Sequence, residues 1–298
     1  MELEIRHLKL VEAIAAEGTM TRAAARLYMT QSALSHQLAG LEEGLGVSLF
    51  RRVPRGMILT PPGEKVLDCA RVVLHAVRDA QELVAATESE AQGTLRISTE
   101  CYTCYHWLPA RLKAFHASFP RVEVEIVVEA TRRPIEAMLA GELDLAIVSG
   151  LPTQAAVSSR ALFEDELVAI LNPEHPLAGR RYLSPHDFVH ERLITYSVPT
   201  RLLTVYQQFL QPAGVNPARI SRVDLTEAIV EMVKANLGIA VLARWAIARH
   251  LNAATLKALP LGRRGLHRKW YAVTVKSRRA PAYVEAFVDL LAEEGVLV

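Results

Sequence analysis

Apolar residues recur at helical spacing through the first 50 residues of the chain. A first helix carries three of them on one face: Leu8, Val11 and Ile14. A later helix carries four: Leu34, Leu38, Leu41 and Leu45. Between them, a turn at 18–21 offers Thr21 as the N-cap of an alanine-rich helix over 22–27, and Thr30 or Ser32 would cap the next helix. The pattern predicts a helix-turn-helix.

A basic turn with proline and glycine follows Phe50 and separates two short apolar segments, as in a β-hairpin. The segment carries three arginines: Arg51, Arg52 and Arg55. We interpret the hairpin as a wing beside the predicted helices. The sequence therefore predicts a winged helix-turn-helix domain over residues 1–60.

A long helix is predicted after Thr60, because Thr60 and Pro61 fit the N-cap and first-turn positions. Its seam positions follow alternating spacings of three and four: Leu67, Ala70, Leu74, Val77, Gln81 and Val84. A heptad seam on a helix without its own core needs a partner, so we predict that segment 61–92 is a linker helix that pairs with a second copy of the chain. The alternative is that the seam packs on the chain's own N-terminal domain.

From residue 93 onward, strand-like segments alternate with helical ones. The strand-like segments lie at 95–98, 122–128, 143–148, 167–171, 193–196, 239–242 and 270–275. The helical segments lie at 105–118, 133–140, 202–210, 228–236 and 281–294. This alternation predicts two α/β lobes over residues 93–298, with lobe I at about 93–163 and 269–298 and lobe II at about 164–268.

Composition narrows the class of protein. The 34 Lys and Arg nearly balance the 32 Asp and Glu, so the net charge of +2 excludes a general polyanion coat. The N-terminus lacks a secretory pattern, no apolar run approaches the roughly 18 residues of a membrane span, and three cysteines form no disulfide framework. We therefore expect a cytoplasmic protein with no membrane partner.

The outer face of the third helix is polar and uncharged, while residues 22–55 hold five arginines against two glutamates, a net of +3. Gln31 can pair with adenine, His36 can donate to a guanine acceptor, and Ser32 and Ser35 can meet a base or a phosphate. Arginines on both sides would hold the phosphates. The pattern predicts double-stranded DNA as partner; the alternative is a solvated helix face.

Three segments carry a family resemblance: Ala23 to Leu27, Thr30 to Gln37, and Leu41 to Arg52, continued by Leu59 to Glu64. They resemble the N-terminal signature of LysR-type transcriptional regulators. The resemblance implies a homodimer or homotetramer on interrupted palindromes, RNA polymerase as a further partner, and an effector domain like type II periplasmic binding proteins. The predicted DNA-binding residues are Arg22, Thr30, Gln31, Ser32, Ser35, His36, Gln37, Arg51, Arg52 and Arg55.

Within that family, the segments at 100–108, 141–145 and 209–215 resemble the MetR branch, whose members activate methionine biosynthesis and respond to homocysteine. The resemblance implies homocysteine as a small-molecule co-effector, with no other cofactor. The alternative is a LysR-type regulator of another pathway with a different effector. An enzyme is disfavoured because no nucleophile elbow, phosphate loop or metal spacing is present. An exported solute-binding protein would not need the first 90 residues.

The effector site is predicted where strands end and helices begin, because free N–H groups there favour an anion. The candidates are Glu100, Cys101, Thr103, Cys104, Thr131, Ser149, Thr200, Thr226 and Glu227. We expect the effector's carboxylate at the turn after Cys101, with Thr103, Thr131 or Thr200 assisting, and its ammonium near Glu100 or Glu227. Simple N-capping is the alternative for each threonine.

Two further features have competing interpretations. Cys101 and Cys104 form a C-x-x-C pair without a second pair, so we predict no metal site and expect small polarizable residues beside a thiol effector, or two thiols in packing. A basic run between Gly262 and Ala280 is expected to be a solvated face on an edge strand rather than a second nucleic-acid contact.

Overall fold

The computed structural model describes residues 2–85, 92–100, 104–251, 255–276 and 280–293. Its N-terminal domain contains three helices and a two-stranded hairpin. The elements are α1 (Ile5–Glu17), α2 (Met20–Arg26), α3 (Gln31–Leu45), β1 (Phe50–Val53) and β2 (Gly56–Leu59). The predicted winged helix-turn-helix is confirmed.

The cap of α2 differs from the prediction. Thr19, not Thr21, has the extended backbone of an N-cap, and its Oγ1 accepts a hydrogen bond from the N–H of Arg22 at 3.4 Å. Thr21 already lies within the first turn, so its hydroxyl donates instead to Oε1 of Gln31 at 3.3 Å. Thr30 caps α3, as one of the two alternatives predicted, through a 3.2 Å bond from the N–H of Ala33.

The linker helix α4 (Pro61–Ala85) begins where predicted, because Oγ1 of Thr60 accepts from the N–H of Gly63 at 3.1 Å. Three seam residues are buried within the chain itself: Leu67, Ala70 and Leu74. Leu67 belongs to the core of the N-terminal domain (the head), and the other two pack with Leu8 of α1. The first half of the seam therefore packs on its own domain, which is the alternative given for it, and pairing of the linker helix with a second copy stays a prediction. The side chain of Val84 and residues 86–91 lie outside the described residues.

The C-terminal domain is built on one mixed sheet. Its strands are β3 (Gly93–Thr99), β4 (Val122–Ile126), β5 (Leu145–Ser149), β6 (Val157–Leu171), β7 (Arg192–Thr195), β8 (Arg219–Arg222), β9 (Ile239–Ala243), β10 (Lys257–Pro260) and β11 (Leu266–Val275). Its helices are α5 (Leu108–Ser118), α6 (Pro134–Leu139), α7 (Thr226–Lys234), α8 (Ala248–Leu251) and α9 (Ala282–Ala292). In the described residues the strand order is β4-β3-β5-β11-β6-β9-β7-β8, with β10 also paired to β6.

Two long strands, β6 and β11, run antiparallel through the middle of this sheet and join its two halves. On one side β5, β3 and β4 continue the sheet over one apolar core, and on the other side β9, β7 and β8 continue it over another. The two predicted α/β lobes are thereby confirmed. The pairing register shifts between Lys269 and Tyr271. The lobe boundaries near 163 and 269 and the domain limits stay predictions.

Several predicted elements change. The strand predicted at 167–171 is the last third of β6, whose earlier part is mostly exposed and has too few consecutive apolar residues to predict a strand. The helix predicted at 202–210 is present but irregular: a 3₁₀ turn, Thr200–Leu202, precedes a helical stretch from residue 204, most of which is the π-helix Tyr206–Leu210. The basic run is not on an edge strand, because β11 pairs with strands on both sides.

Candidate functional site

The outer face of α3 is presented to solvent as predicted. Gln31, Ser32, His36 and Gln37 are exposed and Ser35 is half-buried. The leucines on the opposite face fill the core of the head, with Leu34 fully buried. This core fixes which side of the helix is available to a partner.

The wing is bonded to the helices at two points. Oε1 of Glu42 on α3 accepts the N–H groups of Leu49 and Phe50, at 2.6 and 3.0 Å. The N–H of Met57 donates to the carbonyl of Gly18 at 2.8 Å. A Cβ on Gly56 would lie 2.2 Å from that carbonyl oxygen, so only glycine fits there. From the sequence, Glu42 was only one of two acidic charges, and no local pattern indicated that it accepts these wing N–H groups.

The arginines of the head fall into two groups. Arg51, Arg52 and Arg55 on the wing are exposed, and none of them makes an ion pair with another described residue. Arg22 is also exposed but lies 3.1 Å from Glu17, which contacts Arg26 at 3.6 Å as well. Glu17 lies just before the 22–55 segment, so the local charge count omitted it. The unpaired positive charge is therefore on the wing.

A cavity of about 580 Å³ opens between the two halves of the mixed sheet. It lies at the carboxyl ends of β3, β5 and β7, where a ligand is expected in an α/β sheet. Three predicted effector residues line it together: Glu100, Thr131 and Ser149.

Glu100 is the most distinctive group of this cavity. Its Oε2 accepts hydrogen bonds from both the N–H and the hydroxyl of Ser149, at 2.9 and 3.0 Å. Burial raises the pKa of Glu100, and the Ser149 bonds and the charge of Arg268 only partly oppose that shift. Glu100 is thus a carboxylate whose charged form lacks a full counter-charge.

Other predicted effector residues are not among those that line the cavity. The hydroxyl of Thr226 is buried and bonded to the hydroxyl of Tyr196 at 2.8 Å, whereas Thr200 contacts Arg222 at 3.4 Å. Glu227 is exposed, and its charge acts on His106. Cys104 packs against the core of the first half, and Cys101 and Thr103 lie outside the described residues.

The cavity also contains cations that sequence analysis did not assign to it. Arg132, Arg133, Arg268 and Lys269 line it, as do apolar side chains from the second half of the sheet: Leu202, Leu203, Val205 and Val241. Arg268 and Lys269 belong to the basic run between Gly262 and Ala280, which was not predicted to lie on a central strand. Recognising β11 as a central strand would have indicated them.

Arg268 is held rigidly. Its guanidinium makes two bonds to the carboxylate of Asp165, at 2.7 and 2.8 Å, and stacks 4.7 Å from the ring centre of Trp270. The Asp165 side chain is fully buried and also accepts from Nε1 of Trp245 at 3.1 Å. This network joins β6, β11 and the turn after β9 behind the cavity.

The described part of the chain has neither a metal-binding cluster nor a helix that could span a membrane. In that part of the chain, no group of three or more His, Cys, Asp or Glu side chains is arranged to hold a metal ion. None of the described helices is both long and apolar enough to cross a membrane.

Comparison with known proteins places the whole chain. A family model described as a bacterial regulatory helix-turn-helix protein of the lysR family matches residues 5–64, and one described as the LysR substrate binding domain matches residues 88–295. The HTH-type transcriptional regulator MetR of Escherichia coli strain K12 is 37% identical over 286 residues, covering 96% of this chain and 89% of that protein. MetR of Haemophilus influenzae is 34% identical over 293 residues, covering 98% and 94%.

Solved structures agree with this assignment. The regulatory domain of MetR, a LysR family regulator from Neisseria meningitidis, is 34% identical with a TM-score of 0.63, covering 68% of this chain and 94% of that one. Full-length OxyR from Pseudomonas aeruginosa, at 21% identity and a TM-score of 0.75, shares the fold over 100% of this chain and 97% of its own. The chain therefore belongs to the LysR family of transcriptional regulators, which are DNA-binding regulators rather than enzymes and carry a domain for a small-molecule co-inducer.

Proposed function

We propose that this regulator controls methionine-biosynthesis genes and senses homocysteine in the cavity between its lobes. Its similarity to MetR proteins over 96% of the chain supports the choice of pathway. The chemistry of the cavity supports an amino-acid effector. The Glu100 carboxylate is the observation that carries the proposal.

An α-amino acid presents an ammonium, a carboxylate and a side chain, and the cavity offers a partner for each. The buried Glu100 lacks a full counter-charge, so an ammonium beside it would stabilise its charged form. Arg132, Arg133 and Lys269 are cations that can pair with the carboxylate. Leucine and valine side chains from the second lobe would surround a short thiol-bearing side chain.

We further propose that the exposed face of α3 reads base pairs while the wing arginines contact phosphates. The roles stay with the residues named from sequence: Arg22, Thr30, Gln31, Ser32, Ser35, His36, Gln37, Arg51, Arg52 and Arg55. The protein would act in the cytoplasm as a homodimer or homotetramer and contact RNA polymerase at its promoters. Any pairing through α4 would use its distal half, since Leu67, Ala70 and Leu74 are already covered within the chain.

A regulator of another pathway is the second candidate. Three cations line the cavity together, Lys269, Arg132 and Arg133, and two of them also lie near protein carboxylates: Arg132 at 3.8 Å from Asp224 and Arg133 at 3.5 Å from Glu142. A dianionic acid would satisfy more of them. This candidate differs from the first in the identity of the effector and not in the place where it binds.

Calorimetric titration of the full chain with homocysteine, methionine, cysteine and a panel of dicarboxylic acids tests both candidates. We expect homocysteine to bind and to raise the melting temperature. Glu100→Gln keeps an oxygen for the Ser149 bonds but removes the charge. Losing one charged hydrogen bond costs about 1.5–3 kcal/mol, or roughly 10- to 150-fold in affinity.

Glu129→Gln is the matched control, since Glu129 is exposed and is not a cavity residue. It should bind homocysteine as the wild type does. Binding of a dicarboxylic acid without homocysteine binding would favour the second candidate. Equal homocysteine affinity in Glu100→Gln and the wild type would remove Glu100 from the ammonium site.

A further inference from the structure

The linker helix touches the effector domain through a loop that precedes β5. Arg71 of α4 lies 2.5 Å from Glu142 of this loop, and Nε2 of His75, one turn further along, lies 3.1 Å from Oδ1 of Asp144. The side chains of His75 and Asp144 are 3% and 7% exposed. The two domains thus meet through an Arg71–Glu142 ion pair and a buried contact between His75 and Asp144.

The helix backbone rests directly on this loop. Gly141 has a φ of +75°, and a Cβ there would lie 3.1 Å from the carbonyl oxygen of Arg71 and 3.2 Å from Cα of Val72. Glycine favours this backbone conformation, and a Cβ there would push the helix backbone away by a few tenths of an ångström. The contact is therefore a fitted junction and not a chance meeting of long side chains.

Each side of the junction is tied to a rigid element. Oδ2 of Asp144 accepts the N–H of Arg96 at 2.7 Å, and the N–H of Asp144 donates to the Arg96 carbonyl at 2.9 Å, which anchors the loop to β3. On the helix, Ala70 and Leu74 pack with Leu8 of the head. Arg71 and His75 each directly follow one of these packed residues.

Glu142 also contacts a residue that lines the effector cavity. Its other oxygen, Oε2, lies 3.5 Å from the guanidinium of Arg133, and Arg133 is one of the residues that line the cavity. The carboxylate therefore stands between a cation of the effector site and a cation of the linker helix. Its side chain is 16% exposed, so solvent screens these contacts less than it would at an open surface.

We propose that Glu142 is a positioning residue that couples effector occupancy to the angle of the linker helix. When an anionic effector group engages Arg133, that cation is shared between the ligand and Glu142. The strength of the ion pair between Glu142 and Arg71 changes as a result, and so does the stability of the junction. The identity of the effector rests on the proposed function, whereas the junction itself does not.

Contiguity alone does not establish coupling, so the test measures the coupling itself. A duplex selected by the wild-type protein from a random pool serves as the operator probe. Its Kd is measured with and without saturating homocysteine, and the ratio is the coupling factor. We expect a wild-type factor of about 5- to 150-fold, in either direction.

Glu142→Gln and Arg71→Gln should each bring the coupling factor close to one, and combining them should change it no further. Arg71→Lys keeps the charge and should retain most of the coupling. Lys65→Gln removes the same charge from an exposed position of the same helix and should leave the factor at its wild-type value. A junction that served only stability would lower the melting temperature and leave the factor unchanged, which would overturn the proposal.

Homocysteine binding to the wild type and to each variant is measured in parallel by calorimetry. If no variant and no wild-type protein binds homocysteine, the effector assignment fails, and the junction is then tested without a ligand. Hydrogen exchange of the α4 amides over 71–80 in the full chain should be faster in Glu142→Gln than in the wild type. Equal exchange in the two proteins would show that Glu142 does not hold the helix.

Discussion

Charged side chains have opposite surroundings in the N-terminal domain, called the head here, and in the cavity between the lobes, called the cleft. The wing arginines Arg51, Arg52 and Arg55 stand in solvent, and none of them pairs with another described residue. In the cleft, Arg268 donates two hydrogen bonds to the buried Asp165 carboxylate, and Glu100 is itself buried. This difference in surroundings follows from the kind of partner that each surface is proposed to bind.

A nucleic acid carries a dense array of phosphates. Arginines that are solvated in the free protein therefore lose little hydration when they contact it, and they gain electrostatic attraction to the phosphates. A small effector brings at most a few charges into a site shielded from water. The cleft must therefore neutralise most of its own charge during folding. Substitutions in the head should thus affect mainly binding, and substitutions in the cleft should affect both stability and binding.

The largest effect is expected from Asp165→Ala, which removes a fully buried carboxylate that pairs with Arg268 and accepts from Nε1 of Trp245. Breaking a buried pair from one side costs about 3–5 kcal/mol of unfolding free energy. Urea denaturation of the full chain measures it. Asp289→Ala breaks an exposed pair with Arg160 and should cost about 1 kcal/mol or less. Similar losses in the two variants would contradict the distinction between cleft and surface charge.

A smaller effect is expected at the reading face. Gln31→Ala or His36→Ala should relax the preference at one base position by about 1–3 kcal/mol. The urea midpoint should not move, because both side chains are exposed. Binding to a library of single-base operator variants measures the preference. If both variants retain the wild-type preference at every position, α3 does not read bases through these residues.

Arg51→Ala should weaken binding to every sequence alike. Losing one phosphate contact should reduce the slope of log K against log salt by roughly one unit. Arg26→Ala is an informative comparison, since Arg26 is already held near Glu17 at 3.6 Å and should change the slope less. An equal change in both slopes would show that Glu17 does not shield its partner.

The smallest effect is a pH dependence at Glu100. Burial raises its pKa in the folded chain above the ordinary 4.5, so the folded state holds the proton more tightly than the unfolded state does. The cost of its charge is absent at low pH and reaches its full size above the folded-state pKa. Glu100→Gln should therefore gain stability relative to the wild type as pH rises, while Glu129→Gln tracks the wild type. A constant difference across pH would contradict the raised pKa.

The sequence predicted the head in more detail than the cleft, for a physical reason. The face of α3 depends on residues within a few turns of each other, so the spacing of Leu34 and Leu38 was sufficient to define it. The predicted N-cap of α2 was wrong by two residues, because Thr19 and Thr21 have the same capping chemistry. Periodicity showed an apolar stripe on α4 but not that α1 would cover its first half.

The cleft depends on pairings between distant segments. Glu100 and Ser149 were found because each lies at or just after the end of an apolar strand. Arg268 was missed because nothing local shows that β11 pairs on both sides. Glu227 opens a helix as expected, but it contributes to the surroundings of His106 instead of the cavity. Order along the chain was readable, whereas neighbours in the sheet were not.

The central position of β11 has one more consequence. The exposed residues Arg263 and Arg264 lie in a turn between two glycines, just before this strand. Trypsin could cut the chain there, but the released fragment would still fill the middle of the sheet between β5 and β6. Such a nicked protein should stay assembled in native buffer, because the pairing of β11 with β5 and β6 does not require an intact turn before it.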